Sequence, residues 1–274
     1  MAVPVYDSAQ RGRRALAIGP NLWQQRRLVG LLLRRDLVSR YKRSLLGMWW
    51  TLLNPLLEMA VFFLVFSHIF RRATPGVPYV VYLLSGLVLI NLFRQTVLGV
   101  ATSMVNNGPI LSRMYVPLEV FAVSAAGVLL VNFLASLIPL LAFMLITGTA
   151  LPATLPLVII PGALIAFLGV GIGLALAPAA VLYPDVTDLL SVALLLAGYL
   201  VPVFYPISIV PVKYRLFEQL NPLYSFLESF RGLLYGGSFH PASAYAVMLG
   251  TAAAAMTVGS FVFSRFGRRM VVLL

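Results

Sequence analysis

The sequence predicts an all-α polytopic membrane protein with six transmembrane helices, a cytosolic interfacial helix near the N-terminus, re-entrant outer helices between spans five and six, and both termini in the cytosol. Three observations lead there. Of the 274 residues 61% are hydrophobic and only 10% charged, with a mean hydropathy of +0.95, far from the usage of soluble domains. Apolar runs of the roughly 20 residues needed to cross a hydrocarbon core of about 30 Å recur along the chain. The basic residues bracket those runs. Twenty Lys and Arg against eight Asp and Glu give a net charge of +12, a balance that elsewhere would suggest nucleic acid. Here ten of the twenty precede Gly47 and three more, Arg265, Arg268 and Arg269, close the chain. Nucleic acid is therefore not an expected partner.

Residues 1–47 read as a cytosolic tail ending in a basic interfacial helix. Arg11, Arg13 and Arg14 are followed by no apolar run before Met48, so the segment lacks the pattern of a cleaved signal. From Arg27 to Leu37 a helical projection gathers Leu28, Val29, Leu32, Leu33 and Leu37 on one arc, with Arg27, Arg34 and Arg35 opposite. Such a helix lies flat on a membrane surface. Basic residues continue through Arg40, Lys42 and Arg43 to Trp49 and Trp50, rings that favour headgroup depth.

Residues 48–274 read as a six-span domain with runs at 48–70, 79–100, 118–147, 156–182, 189–210 and 242–263. Pro139, Pro161 and Pro178 predict kinks. Two connections are long: 101–117, expected in the cytosol, and the outer segment 206–241. Counting Lys and Arg by side gives fourteen inside against five outside, which orients both termini inward. The outer segment mixes Lys213, Arg215, Glu218, Glu228 and Arg231 with PLYSFLESFRGLLY. It is too short for a domain and too apolar for a solvated loop, so re-entrant helices are expected, one starting at Asn221 and Pro222.

Chemistry is sparse. No G-x-x-x-x-G-K-S/T occurs, and the two lysines, Lys42 and Lys213, follow no glycine-rich loop, so any ATP must be used by another chain. With no cysteine there is no thiol chemistry, and His68 and His240 are far apart in sequence, so no metal site and no catalytic residue is assigned. Asp185 and Asp188 form a D-x-x-D in YPDVTDLL. Magnesium-dependent prenyl or phospho-transfer would use that spacing, and so would a helix start after Pro184 that meets a partner protein. Glu58 falls near mid-membrane, where a bare carboxylate costs several kcal/mol. Three arrangements satisfy it: a pair with Arg94, a protonated group bonded to a neighbouring helix, or exposure to a hydrated sugar path. Aromatic rings pack on pyranose C–H faces, which nominates Tyr199, Phe204 and Tyr205. Gly169 with Gly173, and Gly250 with Ala254, have the spacing of close helix contacts.

RDLVSRYKRSLLGMWWTLLNPLLEMAVFFLVF from Arg35, NNGPILSRMYVPLEVF from Asn106, LYPDVTDLL from Leu182 and LVPVFYPISIVPVKYRLFEQLNPLYSFLESFRGLLYGG from Leu200 together resemble the permease subunit of ABC-2-type polysaccharide exporters. These carry O-antigen, galactan, capsule or teichoic-acid chains across bacterial inner membranes. The likeness covers residues 35–237; the family usually carries Arg where this chain has Pro184. It implies a homodimer, two copies of a separate P-loop ABC ATPase that use ATP and Mg, and a lipid-linked polysaccharide on an undecaprenyl diphosphate-type carrier. It also implies an ATPase-coupling segment at Asn106, Asn107, Gly108, Ile110, Leu111, Arg113, Met114 and Tyr115, with the Asp185 and Asp188 loop beside it. On this reading Arg34, Arg35, Arg40, Lys42 and Arg43 attract the substrate head group. Glu58, Arg94, Tyr199, Phe204 and Tyr205 line the path, and Pro206, Asn221, Pro222, Glu228 and Arg231 form an outer gate. The alternatives are an ABC-2 exporter of a drug or small lipid, and the D-x-x-D transferase.

Overall fold

Proline marks where the long helices start, because its fixed φ and missing N–H fit the edge of a helix without the loss of a bond. The computed structural model describes residues 25–41, 53, 56–57, 61, 76–111, 116–211, 213–214 and 220–273, with the side chains of 39–41, 268–269 and 271–273 excepted. Helix α1 spans Arg26–Tyr41. Helix α2, Tyr79–Asn106, follows Pro78, and a short turn α3, Gly108–Leu111, follows it. Helix α4, Leu118–Ile146, follows Pro117. A 3-10 turn at Leu155–Val158, with Pro156 near its start, leads into α5, Ile159–Leu182. Helix α6, Asp185–Tyr199, follows Pro184, and α7, Pro222–Arg231, has proline in its first position. A π-helical turn, Gly232–Gly236, precedes α8, Ala242–Leu273.

Four helical runs are long and apolar enough to cross a membrane: α2, α4, Leu155–Leu182 and Ala242–Gly267. They coincide with the second, third, fourth and sixth expected spans, and no strand occurs among the described residues. The first expected span, with Glu58, lies outside the described residues apart from Leu53, Leu56, Leu57 and Val61. So do Lys42, Arg43, Arg113, Met114 and Tyr115, as well as the side chain of Arg40. The fifth run departs from expectation. Its helix starts at Asp185 and ends at Tyr199 after 15 residues, and Val201–Tyr205 continues as bends. Pro202 and Pro206 explain the early end: proline disfavours the helical conformation in the residue before it and gives no N–H to the ladder.

Helix α2 is the axis of the bundle. It packs on α4, on α5 and on the upper part of α6, while α5 also packs along α8 and α1 lies across α4. Two apolar clusters follow. The larger surrounds Tyr79–Val97 of α2, with Phe133, Leu140 and Met144 of α4, Ile165 and Leu168 of α5, and Phe226, Leu227 and Phe230 of α7. The smaller, at the other end of α2, joins Leu32 of α1 to Val100, Met104, Phe121, Leu174 and Phe263. We call the end that carries Tyr79 and α7 upper, and the end that carries Asn106 and α1 lower. Leu28, Val29 and Leu32 of the arc read from the sequence do turn toward this core, and Leu33 lies over Gly127 of α4.

The glycines expected to mediate close packing divide. Gly169 and Gly173 face α2, where a Cβ on Gly173 would lie 2.9 Å from the Val97 carbonyl oxygen. At Gly250 nothing lies within 4 Å, so the expected contact there is not made within this chain. The close approach of α8 is instead made by Gly259, against the backbone of Gly171, with Ala255 one turn away.

Candidate functional site

Two polar centres stand out of the apolar bundle, one at each end of α2. The upper one is built around Arg231, the last residue of α7, whose side chain is only 2% exposed. Burial of an unpaired guanidinium costs several kcal/mol, so its five N–H groups must find acceptors. They do. Nε donates to Ser85 Oγ at 3.3 Å. Nη1 donates to the Tyr82 hydroxyl at 2.9 Å, to the Pro202 carbonyl at 3.0 Å and to Glu228 Oε1 at 3.3 Å. Nη2 donates to the carbonyls of Tyr82 and Val203, each at 3.2 Å. The guanidinium also lies 3.7 Å from the centre of the Tyr82 ring, a cation–π contact.

The cluster explains how the non-helical stretch after Tyr199 is tolerated among apolar helices. Irregular backbone needs partners for every carbonyl it buries. Pro202 is held by Arg231 and by the Tyr82 hydroxyl, Val203 by Arg231, Phe204 by the Tyr79 hydroxyl at 3.0 Å, and Tyr205 by the Tyr82 hydroxyl at 2.9 Å. Four consecutive carbonyls are thus satisfied by three side chains. Room for the guanidinium comes from Gly86, where a Cβ would sit 3.0 Å from Nη2 and 2.8 Å from Val203 Cγ1. Asn221 completes the tie: its Oδ1 accepts from the Leu223 N–H at 3.0 Å, capping α7, and its Nδ2 donates to the Leu200 carbonyl at 3.3 Å. Among the predicted gate residues, then, Asn221, Glu228 and Arg231 bond within one assembly, Pro222 starts its helix, and Pro206 follows the irregular stretch in sequence. Its partners Tyr79, Tyr82, Ser85 and Gly86 were missed. The signal was present in YVVYLLSG, where two tyrosines and a serine at three-residue spacing share one face of an apolar helix.

The predicted path residues sit below and beside this assembly. Tyr199 is exposed, and its ring lies 5.8 Å from that of Phe204, tilted by 33°, while Tyr205 is half-buried. Arg94 is half-buried beside Gly198 of α6, its Nε is buried without a hydrogen bond, and it makes no ion pair among the described residues.

The lower centre joins α1 to the turn after α2. Arg35 Nη2 donates to Asn107 Oδ1 at 2.6 Å, and its Nε and Nη2 reach Asp36 Oδ1 at 2.8 and 2.6 Å. Asn107 in turn donates to the Ser103 carbonyl at 2.8 Å. Arg35, expected to attract a substrate head group, thus has its guanidinium engaged within the chain, whereas Arg34 is exposed. Asn107 is nearly buried and Gly108 is buried. Ile110 and Leu111, nominated for ATPase coupling, are half-buried against the smaller core. The Asn107 link tucks the turn inward, which leaves Asn106 and Pro109 exposed. A cleft of about 610 Å³ opens here between α1, the end of α2 and α4. At the same end Asp185 and Asp188 occupy the first turn of α6, both exposed, with no side-chain cap bond. Carboxylates there suit the helix dipole. No third acidic residue or histidine joins them into a metal-sized group among the described residues.

An apolar helix bundle with several membrane-length helices, one buried arginine network at its upper end and an amphipathic helix and two exposed carboxylates at its lower end has the make-up of a multi-pass membrane protein. The ABC-2 type transporter model matches residues 27–235, and the chain belongs to that family. It is 32% identical over 220 residues to the O-antigen export system permease protein RfbA of Myxococcus xanthus, covering 78% of this chain and 82% of that one. It is 25% identical over 217 residues to the protein of the same name in Klebsiella pneumoniae, with the same coverage. To the polysialic acid transport protein KpsM of Escherichia coli it is 24% identical over 215 residues, covering 78% of this chain and 83% of that one.

Proposed function

We propose that this chain is the membrane subunit of an ATP-driven exporter that moves a lipid-linked polysaccharide, on an undecaprenyl diphosphate-type carrier, from the cytosol across the bacterial inner membrane. The observation that carries the reading is the extent of the likeness to polysaccharide exporters. The family match at 27–235 takes in both polar centres, from Arg35 to Arg231, and the relatives are named for O-antigen or polysialic acid transport. The same names favour a glycan over a drug or small lipid as cargo.

In this reading two copies of the chain form the path and two copies of a P-loop ABC ATPase bind underneath, using ATP and Mg that this chain does not hold. Residues 1–47 are the cytosolic tail and interfacial helix, and residues 48–274 the six-span domain, with both termini cytosolic. The lower end is then the cytosolic face. The segment 101–117, with Asn106 and Pro109 outward, and the exposed Asp185 and Asp188 of α6 are the surfaces the ATPase grips. Arg34, with Arg40, Lys42 and Arg43, draws the diphosphate by charge. The segment 206–241 is the outer gate, and the Arg231 network fixes α7 and the stretch before Pro206 to α2. ATPase closure pulls on the lower end of α2, a helix whose upper end carries that network, so opening requires the two ends to move together or the network to yield. Tyr199, Phe204 and Tyr205 offer ring faces to sugar as it leaves.

Two measurements test the proposal. The chain, purified from its native membrane, should carry a P-loop ATPase with it, and the pure chain alone should hydrolyse no ATP. Depletion should trap lipid-linked polymer at the cytosolic leaflet; magnesium-dependent transfer by the isolated chain, with no polymer trapped, would replace export by the transferase.

A further inference from the structure

The lipid-facing sides of the bundle and one side of α2 are made of different materials. The exposed large residues of α4 include Val131, Leu134, Ile138 and Leu145, and those of α8 Val247, Leu249, Val258 and Phe261, side chains that hydrocarbon accepts. Along α2 from Asn91 to Asn106 the unburied positions recur every three or four residues, so they form a single stripe. Asn91, Arg94, Gln95, Thr102 and Asn106 make up most of it. Gln95 is exposed, and Asn91, Arg94 and Thr102 are half-buried. At about 1.5 Å per residue the stripe extends roughly 22 Å, most of a hydrocarbon core.

Helix α4 adds to it from across a groove. Asn91 and Gln95 line a small cavity, about 40 Å³, together with Asn132 and Ser136, which are one turn apart on α4. Forty cubic ångströms is room for one or two waters, which the three carboxamides and the Ser136 oxygen can bond, while the rest of the lining is apolar. The 610 Å³ cleft at the lower end is lined by Gly99 and Asn106 of the stripe and, off that face, by Ser103 and Asn107, with Arg35 and Asp36 of α1 and the apolar Val128 and Leu129 of α4. Leu129 lines both spaces. It packs over Gly99, where a Cβ would lie 2.8 Å from Leu129 Cδ1.

We infer that the α2–α4 groove is a hydrated track, entered from the lower cleft and narrowed at Leu129, that holds an uncharged, hydroxyl-rich segment of the cargo. Carboxamides suit this ligand, because each can donate to and accept from sugar hydroxyls without the desolvation cost of a charge, and the Thr102 and Ser136 hydroxyls, which donate to the Leu98 and Asn132 carbonyls, still have lone pairs to accept. The inference rests on the proposed glycan cargo for what fills the track, but its hydration does not depend on the cargo.

The chain has no cysteine, so single cysteines can be placed and read directly. In membranes carrying the assembled complex, Gln95→Cys and Thr102→Cys should react with a negatively charged, membrane-impermeant thiosulfonate at least about tenfold faster than Ile138→Cys, since hydrocarbon admits neither the reagent nor a thiolate. Equal, slow labelling at all three sites overturns the track, as would disulfide formation between two copies at Gln95→Cys without reagent labelling. Surface polysaccharide is then measured for Gln95→Leu, an exposed site, with the level of protein followed in parallel. A several-fold slower export at unchanged protein level supports the cargo role. Wild-type export overturns that role while leaving the exporter reading in place. If the unaltered chain exports no polysaccharide, the cargo assignment fails and the labelling result still decides the hydration.

Discussion

Arg231 shows how one charge can order a region that has no regular hydrogen-bond ladder of its own. The guanidinium holds two of the four carbonyls from Pro202 to Tyr205 and orients the Tyr82 hydroxyl that reaches two. Removing it leaves the Val203 carbonyl without its partner and takes one bond each from the Pro202 carbonyl and the Tyr82 and Ser85 hydroxyls, so Arg231→Met is expected to cost about 3–5 kcal/mol, the range for breaking a buried charge network. Arg231→Lys should recover little, because an ammonium cannot present a planar fork to Ser85, Pro202 and Val203 together. Tyr82→Phe removes one hydroxyl but keeps the ring beneath the guanidinium, and should cost about 1–3 kcal/mol. Thermal unfolding of the detergent-solubilised complex checks the order, with Tyr199→Phe as the near-neutral control because its ring is exposed. A Tyr82→Phe protein as unstable as Arg231→Met would place the energy in the hydroxyl and not in the charge. Arg94 poses a separate question. Its Nε is buried without a hydrogen bond, and Glu58 is the carboxylate expected at similar depth. Neutralising Glu58 and Arg94 singly and together distinguishes the three states of Glu58: a pair makes the double variant no worse than the worse single one, whereas additive losses in protein level or export rule the pair out.

Among the elements, the crossing of α5 and α8 is fixed by the absence of side chains. A Cβ on Gly259 would overlap the Gly171 backbone and one on Gly171 would overlap the backbone at Ala255 and Met256. Backbone cannot retreat as a flexible side chain can, so Gly171→Val or Gly259→Val should abolish accumulation of folded protein, while Gly250→Val, with nothing within 4 Å, should leave it unchanged. Immunoblots of membranes against these three variants give the answer, and loss at Gly250 would reveal a contact that α8 makes outside this chain. The comparison also shows where the sequence was legible. G-x-x-x-G spacing located the right span at Gly169 and Gly173, but those two face α2, and only the three-dimensional register turns Gly171 toward α8. Apolar runs located α2, α4, α5 and α8 because hydrophobic length is a local property. The extent of the helix in the fifth run was not legible, for the opposite reason. Pro202 and Pro206 were visible, yet whether a helix stops at Tyr199 depends on partners for the freed carbonyls, and these come from Tyr79, Tyr82 and Arg231, three residues far away in sequence.

For the whole molecule, the two polar centres lie on one continuous helix, which makes α2 the mechanical link between the proposed ATPase face and the proposed gate. Asn107 ties α1 to its lower end through Arg35, and the Arg231 network ties α7 to its upper end. Residues of both centres were nominated from sequence, yet Arg35 and Asn107 were assigned to different partners, a lipid head group and an ATPase. Side-chain type reports what a residue can bind, and only proximity reports what it does bind. The 2.6 Å contact between them gives the link a measurable consequence. Asn107→Ala removes the acceptor of Arg35 and the donor to the Ser103 carbonyl, a loss of about 1–3 kcal/mol at a nearly buried site, small enough for the bundle to fold. If α1 and the turn must move as one unit for ATP hydrolysis to drive export, this variant should assemble with the ATPase and hydrolyse ATP, yet deliver several-fold less polysaccharide per ATP. Reconstituted complexes with both outputs measured on one sample make the comparison. Equal loss of hydrolysis and export would mean that Asn107 serves ATPase docking alone, and an unchanged ratio at full activity would remove the α1–α2 link from the transport cycle.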